Sequence, residues 1–329
     1  MATVRSVAMD ELEVFFAGTG GSVPSARRGL PATLLRIDGD RLLVDCGEGT
    51  QRQLLRSVGL PDLDAVFLTH LHADHWLGLP GMLKTFDLRG REKDLEVFGP
   101  PGTARLLGSM SAIWGRVSYG LHVAEMEPGD AIEFAGYEVE AFNVRHRGVA
   151  FGYAVVEADR PGRFAAQLAE RLGVTPGPDF GRLEAGETVG GVRPDQVIGD
   201  ARRGRRIVLS GDTAPCEMVR IAAAGADLLV HEATFLDVDA ARAAQTEHST
   251  AAQAAQLAAD AGVQLVALTH LSSRYRPSDV RREAQAVFPQ AVVPRDFDAI
   301  EVPAPEKGPP RLKPWEADAT VAPQPSQLL

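Results

Sequence analysis

Four side chains able to hold a metal fall within six residues, in the string Thr69-His70-Leu71-His72-Ala73-Asp74-His75. Imidazole and carboxylate are the donors that a borderline cation such as Zn²⁺ takes. The apolar run at residues 63–68 leads straight into them and reads as a buried strand. Side chains alternate along a strand, so His70 and His72 leave its end on the same side. Asp74 and His75 follow on the turn and reach the same cavity from another direction, which suits two metals better than one. With only 8 histidines in 329 residues, such a cluster marks a metal site rather than a polar loop that happens to be rich in histidine.

The rest of the chain reads as mixed α and β. Strands are expected at residues 12–17, 34–37, 42–44, 95–98, 139–144, 151–156, 207–209, 227–231 and 264–269. Helices fit residues 51–58, 103–109, 215–223, 251–261 and 277–288, with Ser249 or Thr250 as a cap and Gly262 as a stop. Val66-Phe67-Leu68-Thr69-His70-Leu71 returns as Val266-Ala267-Leu268-Thr269-His270-Leu271, matching at five of six positions. A pseudo-symmetric pair of sheets meeting at one metal site would produce that echo.

Two stretches stand apart. Residues 159–200 are broken by Pro and Gly, with one helical piece at residues 163–172, and a loop of this length is usually functional. Residues 303–329 carry seven prolines and are expected to form a disordered tail.

Composition narrows the classes. No apolar run is long enough to span a bilayer, and residues 1–10 lack a secretory signal. Two cysteines, Cys46 and Cys216, are too few for a disulfide framework, so a reducing cytoplasm is expected and both should be small buried hydrophobes. The net charge of −10 argues against broad nucleic-acid binding but leaves room for a local basic surface. Residues 159–206 hold nine arginines against seven acidic residues and are the candidate for it.

A two-metal site needs more donors than the first cluster supplies. His146, Asp212 and His270 each follow an expected strand. Singly each reads as a turn or capping residue; together with the first cluster they make seven donors, with Asp212 able to bridge both metals.

At this point a resemblance becomes specific. The string Asp45-Cys46-Gly47-Glu48-Gly49-Thr50-Gln51-Arg52-Gln53 resembles the signature of ribonuclease Z, the tRNA 3′-processing endonuclease of the metallo-β-lactamase superfamily. So do Gly18-Thr19-Gly20-Gly21-Ser22-Val23-Pro24, the residue 70–75 cluster, Ser210-Gly211-Asp212-Thr213, His231-Glu232-Ala233-Thr234-Phe235, His248-Ser249-Thr250 and Leu268-Thr269-His270-Leu271-Ser272-Ser273-Arg274-Tyr275. The match runs over about residues 12–302.

The resemblance implies a four-layer αββα metallo-β-lactamase fold, with a catalytic domain over residues 1–302 and a flexible arm inserted at about 159–200. It implies two Zn²⁺ per subunit, replaceable by Mn²⁺ or Mg²⁺: one held by His70, His72 and His146, the other by Asp74, His75 and His270, with Asp212 between. Asp74 would be the base and His248 the proton donor to the leaving oxygen, while His231 and Glu232 would support the ligands. Thr50, Ser273 and Arg274 would touch phosphate, and Pro176, Gly177 and Pro178 would lie on the arm that grips tRNA. The implied enzyme is a cytoplasmic homodimer, one subunit's arm serving the other's site, that cuts the 3′ trailer from precursor tRNA and binds neither membrane nor DNA. Two positions depart from the pattern: Ala73 stands where the family usually has Gly, and the loop Arg27-Arg28-Gly29 lacks the usual Arg-Asn pair.

Other readings remain. A phosphodiesterase of the same superfamily acting on small diesters or cyclic nucleotides would share the metal site but has no use for the arm. A non-catalytic RNA-binding protein with a structural metal leaves the full ligand set and His248 unexplained.

Overall fold

The computed structural model describes residues 11–316. Six strands, β1 (Leu12–Gly18), β2 (Ala32–Ile37), β3 (Asp40–Val44), β4 (Ala65–Phe67), β5 (Leu95–Gly99) and β6 (Leu121–Glu125), lie in the first of two sheets. The second is built from β7 (Ala131–Phe134), β8 (Tyr137–Asn143), β9 (Phe151–Glu157), β10 (Arg206–Leu209), β11 (Leu228–Glu232), β12 (Leu265–Thr269) and β13 (Ala291–Val292). The chain then returns to the first sheet as β14 (Ala299–Glu301) and β15 (Arg311–Lys313). The orders are β15-β14-β1-β2-β3-β4-β5-β6 and β13-β12-β11-β10-β9-β8-β7.

Strand alternation explains why the sheets stack. Along β11, Leu228 and Val230 enter the core between the sheets while Leu229 enters the core beneath the helices. In β2, Leu35 and Ile37 point between the sheets and Leu34 points outward. Strands buried on both faces need apolar residues at nearly every position, hence the continuous runs in the sequence. The helices Leu79–Leu88 and Thr103–Trp114 cover the first sheet through Met82, Leu83, Phe86 and Leu107. Ala251–Ala261 and Pro277–Val287 cover the second through Ala254, Ala258, Val280 and Ala284. The outcome is the expected αββα sandwich.

Strands β3 to β6 run parallel, as do β10 to β13, so each set ends on a common edge. Ligands of open α/β sheets gather beyond the carboxyl ends of such strands.

Three parts differ from expectation. The sequence pattern predicts nothing at Leu79–Leu88, where Pro80 and Gly81 look like breakers. Pro80 falls in the first turn, where a missing N–H costs nothing. The insert at 159–200 holds three helices rather than one: Ala166–Arg171, Pro178–Glu184 and Pro194–Val197. They close on a cluster of their own, Ala169, Val174, Leu183, Val189, Val192 and Val197. The third correction concerns the tail expected to be disordered from residue 303. Through residue 316 it has a defined path: β15 pairs antiparallel with β14, and Trp315 stacks edge-on against Phe15 and Phe297 at 6.5 and 5.9 Å between ring centres. Proline is compatible there because β15 is an edge strand. Residues 317–329 of that stretch lie outside the described residues.

Candidate metal centre

Every donor named from the sequence arrives at one place. His70 follows β4, Asp212 follows β10 and His270 follows β12, and all three are buried. His70 and His270 close the two echoing strings, one from each sheet, as the sequence repeat implies.

Two sets of donors form. His70 Nε2 lies 2.9 Å from His72 Nδ1, which lies 3.2 Å from His146 Nε2. The second set has His75 Nε2 3.7 Å and His270 Nε2 3.5 Å from Asp74 Oδ2. Asp212 Oδ2 stands between the sets, 3.9 Å from His70, 3.4 Å from His75 and 3.2 Å from His270. Nitrogens each about 2.0–2.1 Å from one tetrahedral Zn²⁺ would stand about 3.3 Å apart, so these spacings fit metal coordination. A second observation agrees. The Nε2 atoms of His75 and His270 are buried without a hydrogen-bond partner, a costly state unless a cation takes their lone pairs.

The polar groups behind the donors set their orientation. Asp45 turns inward from the end of β3 with a left-handed φ of 60° and accepts from Thr69 N and Thr69 Oγ1, both at 2.9 Å, and from His75 Nδ1 at 2.7 Å. Thr234 Oγ1 holds His270 Nδ1 at 2.8 Å, and Glu232 Oε2 accepts from that hydroxyl at 2.6 Å. Glu232 Oε1 meets His248 Nδ1 at 2.7 Å. His75 and His270 thus have Nδ1 engaged and Nε2 left for the cavity, as metal-binding histidines require.

Charge follows from these contacts. Burial opposes ionisation of Asp212, yet His270 and His75 hold its carboxyl well below the usual range. Asp74 is likewise held low, burial again opposing and the His270 contact prevailing. Burial, then the neighbouring His75, keeps His70 neutral, and burial, then His146, lowers His72. For His248 burial works downward, but the Glu232 carboxylate overcomes it and lifts the ring to about 9.

Several supporting residues escape a reading of the sequence. Asp45 belongs to the signature string but had no role assigned; its position at the end of a strand parallel to β4 was the available signal. Ser22 N donates to Asp74 Oδ2 at 2.9 Å, and Gly21 lies flat on His270, where a Cβ would come within 2.4 Å of the ring. Asp296 ties that loop down, accepting from Thr19 Oγ1, Gly29 N and Gln53 Nε2 at 2.6, 2.6 and 2.7 Å.

Other expectations need correcting. Thr50 is buried, with its hydroxyl on the Gly47 carbonyl at 2.8 Å, so it is not presented to a phosphate. His231 lies on the face of β11 opposite Glu232, and its Nδ1 meets the Glu232 carbonyl at 2.7 Å. Of these two neighbours, Glu232 is the one that faces the site. Arg28 folds inward onto Thr19 and the Pro294 carbonyl rather than outward. Ala73 has no positive φ, which is why alanine is accepted there. Ser273 and Arg274 are exposed just past His270, and Pro176, Gly177 and Pro178 are exposed on the arm. The basic count of residues 159–206 is largely neutralised: Arg182, Arg193, Arg202, Arg203, Arg205 and Arg206 all meet carboxylates.

Known proteins resemble this chain in sequence and fold. Residues 28–270 match the metallo-beta-lactamase superfamily. A ribonuclease Z from Natronomonas pharaonis is 46% identical over 90% of this chain and 99% of its own length. One from Haloferax volcanii is 48% identical over 88% of this chain and 94% of its own. The crystal structure of the short form of human tRNase Z superposes with a TM-score of 0.65 at 27% identity, covering 88% of this chain and 99% of that one. With this agreement in sequence and architecture, the chain belongs to the ribonuclease Z family of the metallo-β-lactamase superfamily.

Proposed function

We propose that this chain is an endoribonuclease that cuts precursor tRNA after the discriminator base, releasing the 3′ trailer and leaving a 3′-hydroxyl on the tRNA. The observation that carries the reading is the convergence of seven donors with the Glu232–His248 pair at one strand-end edge, in a chain of this family.

His70, His72 and His146 would hold one Zn²⁺ and Asp74, His75 and His270 a second, Asp212 lying between; Mn²⁺ or Mg²⁺ would fit the same donors less selectively. When bound, such a pair of cations makes water easier to deprotonate and offsets the charge gathering on the phosphate. Asp74, steadied by Ser22 N, would take the proton of the attacking water. His248 is fixed through Nδ1 by Glu232, which leaves Nε2 to protonate the departing 3′-oxygen. Ser273 and Arg274, exposed past His270, would meet the flanking phosphates.

In the same reading the enzyme works as a cytoplasmic homodimer, and the arm at 159–200 of one subunit grips the tRNA seated on the other. Among the described residues no helix is long and apolar enough to cross a membrane.

The test is incubation of purified protein with end-labelled precursor tRNA, with and without a chelator. The expected result is chelator-sensitive cleavage at the discriminator base with a 3′-hydroxyl product; absence of cleavage across Zn²⁺, Mn²⁺ and Mg²⁺ rejects the reading. Asp74→Ala should abolish turnover, by a factor of about 10³ or more, while gel-shift affinity for the tRNA stays near wild type.

A further inference from the structure

Between β9 and β10 the arm departs from the second sheet as a two-stranded ribbon. Arg160 and Arg202 exchange both backbone N–H···O bonds at 2.8 Å, and Phe164 pairs with Ile198 further out. Gly162 presses on Gly199 so closely that a Cβ would stand 1.8 Å from its carbonyl oxygen. Below them the buried pair Arg205–Glu157 roots the ribbon at 2.7 Å.

Against this root lies the connection between β14 and β15, strands of the opposite sheet. The Val302 carbonyl accepts from Arg205 Nη1 at 3.0 Å. Glu306, in the turn Pro305–Lys307, takes Arg160 as a fork, Nη1 to Oε1 at 3.2 Å and Nη2 to Oε2 at 2.9 Å. The same Oε1 accepts from Arg202 Nη1 at 2.9 Å, while Arg202 Nε donates to the Pro161 carbonyl at 3.0 Å. One carboxylate therefore fastens both strands of the ribbon, at one level, to an element anchored in the first sheet. Arg160 is only 7% exposed, so its charge depends on that partner, and a two-pronged contact fixes direction as well as distance.

We propose that Glu306 is a positioning residue: it braces the root of the arm and sets the angle at which the arm meets RNA. The proposal rests on the reading of residues 159–200 as the arm that grips tRNA. Glu306 touches no reacting atom and acts through Arg160 and Arg202.

Glu306→Gln keeps the shape and removes the charge that two guanidiniums share. With the full-length variant, KM for precursor tRNA should rise about tenfold while kcat and the hydrolysis of bis(p-nitrophenyl) phosphate stay at wild-type values. Hydrogen exchange at residues 160–164 and 198–202 should quicken about tenfold or more, with β10 unchanged. Unaltered exchange at those residues overturns the brace. Quickened exchange with an unchanged KM overturns its part in seating the substrate. A chain lacking residues 163–199 that still cleaves precursor tRNA at the wild-type rate rejects the reading of the arm instead, and the exchange measurement then decides the brace by itself.

Discussion

At the scale of single residues, the groups that shape this site are as much the ones behind the donors as the donors themselves. Asp45 accepts from His75 Nδ1 and from Thr69 at once, so the His75 ring has no freedom to turn its Nε2 away from the cavity. Asp45→Asn keeps an acceptor for Thr69 but loses the charge that favours this tautomer. Metal affinity should drop about 10–100-fold, read by competition with a chromophoric chelator; an unchanged affinity would remove the orienting role. Gly21 matters for space. A methyl there meets His270 at 2.4 Å from Nδ1, so Gly21→Ala should displace that ring. Turnover should fall about 10²-fold, the usual effect of a displacement near 1 Å, and bound metal measured by elemental analysis should drop toward one ion per chain. Retained metal and turnover would show that the loop simply yields. At this scale the sequence pointed to seven side chains that the fold does gather in one place, but misjudged their neighbours. His231 and Glu232 are adjacent, and a strand sends adjacent side chains to opposite faces, so only the orientation of β11 could say which one supports the site.

At the scale of elements, caps and turns decide how donors are presented. Thr250 and Gln253 form a reciprocal cap, Gln253 N to Thr250 Oγ1 at 3.2 Å and Thr250 N to Gln253 Oε1 at 3.0 Å. The helix Ala251–Ala261 ends at Gly262 with φ 66°, so both boundaries were legible from residue type alone. This cap holds the turn that carries His248. Thr250→Ala should cost about 1 kcal/mol and lower Tm by roughly 2 °C in a thermal melt; a shift no larger than that of an exposed alanine substitution would mean the turn is held otherwise. The connection after β14 illustrates the opposite case. Seven prolines suggest disorder, yet the segment through residue 316 pairs as an edge strand and seats Trp315 against Phe15 and Phe297. Its order comes from pairing with β14, from Phe297 and from Phe15 at the other end of the chain, none of which local composition reveals.

At the scale of the molecule, two sheets converge so that strand ends from each complete one centre. The arm is a separate matter, since its apolar residues form a cluster apart from the three that build the sandwich. Removing residues 163–199 should therefore abolish cleavage of precursor tRNA while leaving hydrolysis of a small chromogenic diester within about twofold, because additivity holds for well-separated sites; loss of both activities together would contradict this independence. The arm does not work as a plain basic patch. Most arginines between residues 159 and 206 are engaged by carboxylates, among the described residues, so a count of charges overstated how much positive charge the segment presents. What the sequence determined by itself was the mixed α and β class, most strand ends and the candidate donors at them, because alternation, capping and ligand chemistry act over a few residues; the layered sandwich was implied by the family resemblance. What only the tertiary structure decided was which neighbours of those candidate donors face inward, which charges cancel and where residues 303–316 attach. These depend on side chains from distant segments meeting in space, and no local pattern encodes such a meeting.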